Sequence, residues 1–336
     1  MQKPSAAYLL WPDAFDRIYS PASREEIARF VDMAAPVISP ENWMSHEEIC
    51  RDVEFIFSGW GMIVLDEEAL AKFPNLRVIF YASGSVREFV TDAMWERGIE
   101  VSSAFAANAV PVAEYTVAQI VLATKHTWRL ATQVRKEGRF PADYISSRNF
   151  LGMFGTTIGL ISLGAIGRMV AHRLRDYDVS VVAYDPFVDP ADAEALGVKL
   201  VSLETLFAES DVVSCHTPWL KETEGMLQYE HFAGMKPNST FINTARGAVV
   251  DEPQLIAALR KRPDISAILD VTYPEPPQPG SPFYELPNVI LTPHIAGSRG
   301  AECQRMGRYM VEELKRYLGG QPLRFRITQD QAVVMA

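Results

Sequence analysis

Four polar clusters in the second half of the chain contain residue types that could perform acid–base chemistry on a small acid. Each cluster follows a short apolar run that we interpret as a buried parallel strand. Ligands of open parallel sheets bind outside the carboxyl ends of the strands, so the four clusters should face one site. The clusters are His216-Thr217-Pro218, Asn243-Thr244-Ala245-Arg246-Gly247, Asp270 to Glu275, and His294 to Gly297.

Three residues of these clusters, Arg246, Glu275 and His294, suit the reduction of a 2-oxoacid by hydride. The reduced carbonyl needs a proton, and a histidine that titrates near neutrality is the usual donor. A carboxylate bonded to the other ring nitrogen would fix the tautomer and hold the imidazole in place. A guanidinium can bind the substrate carboxylate with its fixed fork of donors and polarise the adjacent carbonyl. The trio therefore predicts interconversion of 2-oxo and 2-hydroxy acids.

Each of these side chains also has a purely structural interpretation. His294 could be a hydrogen-bonded loop histidine, and Glu275 could be a solvated acid in a proline-rich loop. Arg246 could cap a helix or pair with Asp251. For His216 we expect a structural or cofactor-lining role rather than proton donation.

A source of hydride is indicated by a strand–turn–helix–strand–acid pattern upstream of the clusters. This order is typical of the βαβ unit that binds the pyrophosphate of a dinucleotide, with backbone NH groups and the positive end of the helix dipole facing the phosphates. The parts are a strand from Thr157 to Ile161, a turn from Ser162 to Gly167, a helix to Arg175, a strand from Val179 to Tyr184, and Asp185.

Two residues of this unit determine what it is expected to bind. Ser162 occupies the position of the first glycine in G-x-G-x-x-G; we expect a varied turn that still binds, because Gly164 and Gly167 remain. Asp185 lies about twenty residues beyond the turn, where a carboxylate can accept hydrogen bonds from both adenosine ribose hydroxyls. The same carboxylate repels a 2′-phosphate and therefore favours NAD over NADP.

The elements that position these residues alternate between strand and helix along the whole chain. The first hundred residues form a small α/β unit by themselves, in which a capping box at Ser23-Arg24-Glu25-Glu26 predicts the start of a helix. A long apolar helix is predicted from Val112 to Lys136, and a final segment could rejoin the first domain. Further predicted strands include Phe55 to Ser58, Thr240 to Asn243 and Val289 to Leu291.

Composition limits the class of protein. A length of 336 residues predicts roughly two domains, and 48% apolar with 22% charged residues is typical of a soluble globular protein. The net charge of −10 argues against a nucleic-acid partner. Cys50, Cys215 and Cys303 suit buried thiols of a reduced compartment, with no metal-ligand spacing. Without a signal sequence or a long apolar run, we expect a cytoplasmic protein with no membrane span.

With these motifs the chain resembles the D-isomer-specific 2-hydroxyacid dehydrogenases over nearly its whole length. The motifs that carry the resemblance are Gly159 through Gly167, Tyr184-Asp185-Pro186, His216-Thr217-Pro218, Asn243 through Gly247, Leu269-Asp270-Val271 with Pro274-Glu275-Pro276, and Thr292 through Gly297.

The resemblance implies a role for each site residue. His294 would be the acid/base, Glu275 its partner, and Arg246 the group that binds and polarises the substrate. The backbone NH groups of the loop Ser83-Gly84-Ser85 would meet the substrate carboxylate. The residues implied to bind NAD are Ser162, Gly164, Ala165, Ile166, Gly167, Asp185, His216, Thr217, Pro218, Thr244, Ala245, Asp270 and Gly297.

The resemblance also implies the architecture: two Rossmann-like, doubly wound parallel-sheet α/β domains. The smaller, flavodoxin-like substrate domain would be discontinuous, residues 1–108 with 303–336. The NAD-binding domain, residues 109–302, would be inserted between them. The helix from Val112 to Lys136 would belong to the crossing and to the contact of a homodimer.

The substrate and one alternative class stay open at this stage. The substrate loop has Val86-Arg87 where the family commonly has Asp-Asn, and Arg87 could recognise a second anionic group or lie on the surface. 3-Phosphoglycerate, glyoxylate, hydroxypyruvate and longer acids all suit the trio.

A formate-type dehydrogenase is disfavoured by Glu275, since glutamine stands there in that branch. An NAD-sensing regulator, like the C-terminal-binding-protein corepressors, is the alternative, disfavoured by the lack of a disordered tail.

Overall fold

The computed structural model describes residues 3–34, 37–141 and 152–335. Two compact units divide the chain: Met1–Ala109 together with Ser298–Ala336, and Val110–Gly297. We call them unit 1 and unit 2. Most of the predicted irregular stretch between Gly138 and Gly155 lies outside the described residues.

Unit 1 begins with alternating strands and helices. Its first part contains β1 (Ser5–Leu9), α1 (Pro12–Ile18), α2 (Pro21–Ala28), β2 (Asp32–Met33), α3 (Glu47–Cys50), β3 (Phe55–Ser58), α4 (Glu67–Lys72), β4 (Val78–Tyr81), α5 (Asp92–Glu96) and β5 (Glu100–Ser103). The five strands are parallel in the order β2-β1-β3-β4-β5. The order reverses between β1 and β3, as in a doubly wound sheet.

Unit 2 continues with the same alternation. After α6 (Phe105–Thr124), which starts in unit 1, its elements are α7 (Thr127–Glu137), β6 (Thr156–Ile161), α8 (Ala165–Leu174), β7 (Val179–Tyr184), α9 (Pro190–Ala195), β8 (Val198–Leu200), α10 (Leu203–Glu209), β9 (Val212–Cys215), α11 (Tyr229–Ala233), β10 (Thr240–Asn243), α12 (Glu252–Lys261), β11 (Ser266–Leu269) and β12 (Val289–Leu291). All seven strands are parallel, in the order β8-β7-β6-β9-β10-β11-β12. The order reverses between β6 and β9.

The chain then returns to unit 1 with α13 (Cys303–Leu318), β13 (Arg326–Ile327) and α14 (Gln329–Val334). β13 pairs antiparallel with β5 at the edge of the first sheet, so the prediction that the tail could rejoin the first domain is confirmed. Two parallel-sheet α/β units of Rossmann-like topology are what the sequence predicted, and the fold class is confirmed.

Both sheets are apolar on both faces, which explains why their strands read as continuous apolar runs. In β1, Ala6 and Tyr8 pack into one core cluster of unit 1 with α1 and α13, whereas Ala7 and Leu9 pack into the opposite one with α4 and α5. Unit 2 has the same three-layer arrangement, with α10 to α12 on one face and α6, α8 and α9 on the other.

Two predictions about helices are wrong. The helix predicted from Val112 to Lys136 is two helices: α6 starts before Pro111 and contains it, and the chain bends at His126, whose φ is 50°. A proline in a helix removes one backbone hydrogen bond but does not always end the helix. The cap of α2 is Ser20, whose Oγ accepts from the Ser23 NH, not Ser23 itself.

One described helix, α6, is long and apolar enough by length and composition to cross a membrane, and half of its apolar window is buried within the structure. Its Ala113, Val117 and Ile120 pack into the core of unit 2. The same helix carries the hydroxyls of Tyr115 and Thr116, which bond to loops of unit 2. These contacts are those of a core helix.

We expect Gly307→Ala to destabilise unit 1. A Cβ on Gly307 in α13 would collide with the carbonyl oxygen of Ile18 at the end of α1, and backbone cannot move aside as a side-chain tip can. The substitution should lower the free energy of unfolding by about 2 kcal/mol, although alanine favours a helix by about 1 kcal/mol. Denaturant unfolding measures this, with the neighbouring exposed Arg308→Ala as control. Equal stability of the two variants would contradict the close packing of α13 on α1.

Candidate active site

The dinucleotide turn after β6 forms with serine in the place of glycine. Ser162 has a φ of 76°, in the left-handed region that favours glycine. Its NH donates to the Tyr184 carbonyl at 2.8 Å, and its Oγ lies 2.9 Å from Thr217 Oγ1 in the loop after β9. These bonds hold serine in a conformation that costs roughly 1 kcal/mol or more for a non-glycine residue.

The two remaining glycines of the turn have different surroundings. Gly164 is the N-cap of α8, where no side chain caps the helix, and a Cβ there would meet no atom within 4 Å. A Cβ on Gly167 would collide with the Ser162 carbonyl oxygen. The first-turn NH groups of Ala165, Ile166 and Gly167 have no partner within the helix, and Gly164 borders open space, so this helix N-terminus suits a pyrophosphate.

Asp185 directly follows β7, beside this turn. Its Oδ2 accepts from the Leu163 NH at 2.8 Å and its Oδ1 from the Phe187 NH at 2.9 Å. A carboxylate offers about four lone-pair positions, so each oxygen keeps capacity for one further donor such as a ribose hydroxyl. The bond to Leu163 fixes the carboxylate relative to the turn. The group suited to the ribose therefore keeps a fixed distance from the groups suited to the pyrophosphate.

His216, which directly follows β9, is buried and is not suited to acid–base chemistry. Its Nε2 lies 3.1 Å from Ser214 Oγ, and its Nδ1 is buried with no hydrogen-bond partner among the described residues. Burial lowers the pKa of His216 from 6.5 to about 4. The imidazole is therefore neutral near pH 7 and unsuited to proton donation. Thr217 and Pro218 continue the same loop.

Arg246, Glu275 and His294 follow β10, β11 and β12, three strands that neighbour one another in the sheet. His294 Nδ1 and Glu275 Oε1 are 2.7 Å apart, and both side chains are nearly half exposed, at 45% and 42%. Because a carboxylate only accepts, Nδ1 carries the proton in this bond. Nε2 is then the ring atom that can exchange a proton with a reactant.

Asp270 fixes the backbone around His294. The peptide NH of His294 donates to the Asp270 carbonyl at 2.9 Å, and the next two NH groups, of Ile295 and Ala296, donate to the Asp270 carboxylate at 2.9 and 2.8 Å. His294 itself has a φ of 52°. The strained conformation that presents the imidazole is thus specified by one buried residue, through its backbone carbonyl and its carboxylate. Gly297 follows on the same segment.

The Arg246 loop is braced in a similar way. The Asn243 side chain donates to the Arg246 carbonyl and accepts from the Ala245 NH, each at 3.0 Å. A Cβ on Gly247 would collide with the backbone of Thr272, so the Arg246 and Glu275 loops touch backbone to backbone. This contact positions the guanidinium loop beside the acid–base pair.

Two site residues escaped the sequence analysis because they lie on α6, far from the polar clusters. Tyr115 OH is 3.0 Å from Thr292 Oγ1, which in turn bonds to Asp270 Oδ1 at 2.5 Å. Thr116 Oγ1 is 3.0 Å from Thr244 Oγ1 in the buried loop after β10. Adjacent hydroxyls in a largely apolar helix were the available signal.

The predicted substrate loop lies in unit 1, after β4. The Ser103 hydroxyl lies 2.9 and 2.6 Å from the carbonyl oxygens of Ser83 and Gly84. In a trans peptide the carbonyl and the following NH point in opposite directions. The NH groups of Gly84 and Ser85 therefore point away from Ser103. Arg87, next along the loop, is exposed.

We expect His216 to make the protein sensitive to mild acid. The unfolded chain binds a proton at His216 near pH 6.5, whereas the folded chain binds it only near pH 4, so protonation favours unfolding. As pH falls from 6.5 to 4, wild type should lose about 3 kcal/mol more stability than His216→Gln. Unfolding of both proteins across this range, with exposed His172→Gln as control, measures the difference. Parallel curves for wild type and His216→Gln would contradict the buried neutral imidazole.

Comparison with known proteins agrees with this geometry. A family model described as "D-isomer specific 2-hydroxyacid dehydrogenase, NAD binding domain" matches residues 117–296. D-3-phosphoglycerate dehydrogenase of Archaeoglobus fulgidus is 36% identical over 286 residues, which cover 84% of this chain and 53% of that protein. (S)-sulfolactate dehydrogenase of Chromohalobacter salexigens is 36% identical over 256 residues, covering 76% of this chain and 82% of that protein.

A solved structure is similar over nearly the whole chain. The TT0316 protein of Thermus thermophilus superposes with a TM-score of 0.75 at 28% identity, covering 96% of this chain and 100% of the other.

The chain spans about half the length of the phosphoglycerate dehydrogenases that it matches. The glycine turn, the uncapped helix and Asp185 suit the cofactor that the matching domain binds, so the prediction of NAD is confirmed. The chain belongs to the D-isomer specific 2-hydroxyacid dehydrogenase family.

Proposed function

We propose that the protein is an NAD-dependent 2-hydroxyacid dehydrogenase that interconverts a small 2-oxoacid and its D-2-hydroxyacid. The observation that carries the proposal is the 2.7 Å contact between His294 Nδ1 and Glu275 Oε1, in the unit that also contains the dinucleotide turn. Corepressor-like regulators retain such a trio as well, so turnover of a substrate, rather than the pair itself, separates an enzyme from a regulator. Family membership supports the same reaction class.

The proposed mechanism assigns one task to each residue of the trio. NAD, when bound, supplies or accepts the hydride. In reduction, His294 donates the Nε2 proton to the substrate oxygen, and in oxidation it takes that proton back. Glu275 keeps the proton of Nδ1 in place and stabilises the imidazolium. Arg246 binds the substrate carboxylate and polarises the carbonyl with its fixed donors. No metal is required for these steps.

The NH groups of Gly84 and Ser85 are proposed as further ligands of the substrate carboxylate, since they point away from the Ser103 hydroxyl that holds their loop. Two relatives are named for acids with a second anionic group, phosphoglycerate and sulfolactate. We propose a three-carbon substrate of this kind, or glyoxylate or hydroxypyruvate. Arg87, exposed beside the loop, is the proposed partner of a second anion.

A cytoplasmic homodimer is proposed for the assembled protein. Helix α7 has no fully buried residue, although Leu130 and Val134 lie half-buried on it. Half-exposed apolar side chains on an amphipathic helix suit a subunit contact. Cys50, Cys215 and Cys303 are buried free thiols, as expected in a reducing compartment.

The decisive experiment is turnover of a 2-oxoacid panel with NADH. Wild type should reduce at least one of pyruvate, glyoxylate, hydroxypyruvate and 3-phosphohydroxypyruvate. His294→Gln should lower kcat by about 10²- to 10⁴-fold, because the general acid is lost, while the Kd for NADH stays the same. Exposed His172→Gln is the matched control. Tight NADH binding without turnover of any acid would instead favour the NAD-sensing regulator.

Asp185 should set the cofactor preference. Wild type should use NADH better than NADPH by at least about tenfold in kcat/KM, because the carboxylate repels a 2′-phosphate. Asp185→Asn removes the charge while keeping one acceptor, so the preference should shrink. Exposed Asp176→Asn, after α8, controls for loss of a negative charge on the same unit. A wild-type preference for NADPH would refute the assignment of Asp185.

A further inference from the structure

A glutamate outside the trio holds the loop that carries Glu275. Glu252 is the first residue of α12, which follows the Arg246 loop. Its Oε1 accepts a hydrogen bond from the backbone NH of Tyr273 at 2.6 Å. Tyr273 precedes Glu275 by two residues. A displacement of this peptide would therefore be passed along a very short segment to the carboxylate that bonds His294.

The environment of Glu252 is unusual for an acid that only begins a helix. The side chain is half-buried, and burial raises the pKa of Glu252 to about 7, while the Tyr273 NH acts against that shift. Asp251, the residue before it, already caps α12 by accepting from the Gln254 NH. Glu252 is therefore not needed as the cap of α12, although its carboxyl is partly desolvated. Its short hydrogen bond instead joins the start of α12 to the loop that carries Glu275.

Two further contacts hold the same segment from other sides. Gly247 allows the Arg246 loop to touch the Thr272 backbone, where a Cβ would collide. The Tyr273 ring meets Trp219, in the loop after β9, edge to face with centroids 5.1 Å apart. Within the segment, Thr272 Oγ1 donates to the Pro274 carbonyl at 2.9 Å. Of these contacts, the Glu252 bond is the one that fixes the Tyr273 peptide itself.

We propose that Glu252 is a positioning residue that acts through Glu275: by holding the Tyr273 peptide, it sets the alignment of Glu275 with His294 Nδ1. The inference rests on the proposed function and adds a residue to the site. Glu252 does not touch the reacting atoms. Its loss should lower kcat because Glu275 is then misaligned, and it should leave the Kd for NADH unchanged.

The variants separate the hydrogen bond from charge and from folding. Glu252→Gln keeps an acceptor oxygen at the same reach and should keep kcat within about threefold of wild type. Glu252→Asp keeps a carboxyl group at the helix start but withdraws its oxygens by one methylene. It should lower kcat by about 10- to 100-fold, as misplacement of a catalytic group does. Glu252→Ala should resemble it. Exposed Glu204→Ala, in the first turn of α10, controls for loss of an acid from a helix start.

Action through Glu275 is tested by a double-mutant cycle. In a Glu275→Ala background, Glu252→Asp should change kcat by less than about twofold, because the group that it positions is gone. Full additivity would overturn the proposal and indicate a general structural role. A decrease in kcat for Glu252→Gln as large as for Glu252→Asp would overturn it as well.

A measurement that needs no turnover separates this inference from the proposed function. The ¹⁵N shifts of the His294 ring, assigned with His294→Gln, report which nitrogen carries the proton. In Glu252→Asp they should move towards the values of Glu275→Ala, and in Glu252→Gln they should match wild type. Unchanged shifts in Glu252→Asp would overturn the inference. If wild type reduces no acid, the proposed function fails, and the shifts still decide the role of Glu252.

Discussion

The hydrogen bonds of Asp270 are the constraint on which the candidate site depends. One residue accepts from three successive NH groups, of His294, Ile295 and Ala296, and also from the Thr292 hydroxyl. A non-glycine residue in the left-handed region costs about 1–3 kcal/mol, and such a conformation persists only where its surroundings specify it. Four bonds to a buried residue provide that specification. Tyr115 extends the arrangement by bonding Thr292, so α6 in the core also orients the histidine loop.

The parallel sheet explains why the trio can meet although its members are far apart in sequence. Arg246, Glu275 and His294 leave adjacent strands at the same edge, so their loops emerge about 5 Å apart in the hydrogen-bonding direction. Adjacency alone does not align side chains. The contact of Gly247 with Thr272 joins the Arg246 loop to the Glu275 loop, and the bond that the Tyr273 NH donates to Glu252 joins the Glu275 loop to α12. Asn243 braces the Arg246 loop from within. The site is therefore a group of loops at one edge of the sheet that these non-covalent contacts hold together.

Sequence reasoning succeeded where local pattern determines structure. The strands Phe55–Ser58, Val179–Tyr184, Thr240–Asn243 and Val289–Leu291 have the predicted bounds, because turn residues flank each apolar run. It failed where the deciding contact is distant. Local pattern did not predict the break at His126, nor the passage through Pro111 of α6, a helix that packs into the core of unit 2. Tyr115 and Glu252 bond to residues 177 and 21 positions away, at spacings that no local pattern records.

The substitution at Ser162 shows which part of the dinucleotide turn can vary. Serine there adopts a φ of 76° and regains stability through its bond to Thr217, since one hydrogen bond contributes about 1 kcal/mol. Thr217 lies across the point where the strand order of unit 2 reverses, so this bond joins the β6 and β9 loops. Gly167 has no such freedom, because any Cβ would meet the Ser162 carbonyl. Gly164 faces open space, so the fold itself does not require a glycine there. The first position is thus constrained by backbone conformation, which a side chain that makes its own hydrogen bond can satisfy, whereas Gly167 is constrained by close packing, which no side chain can satisfy.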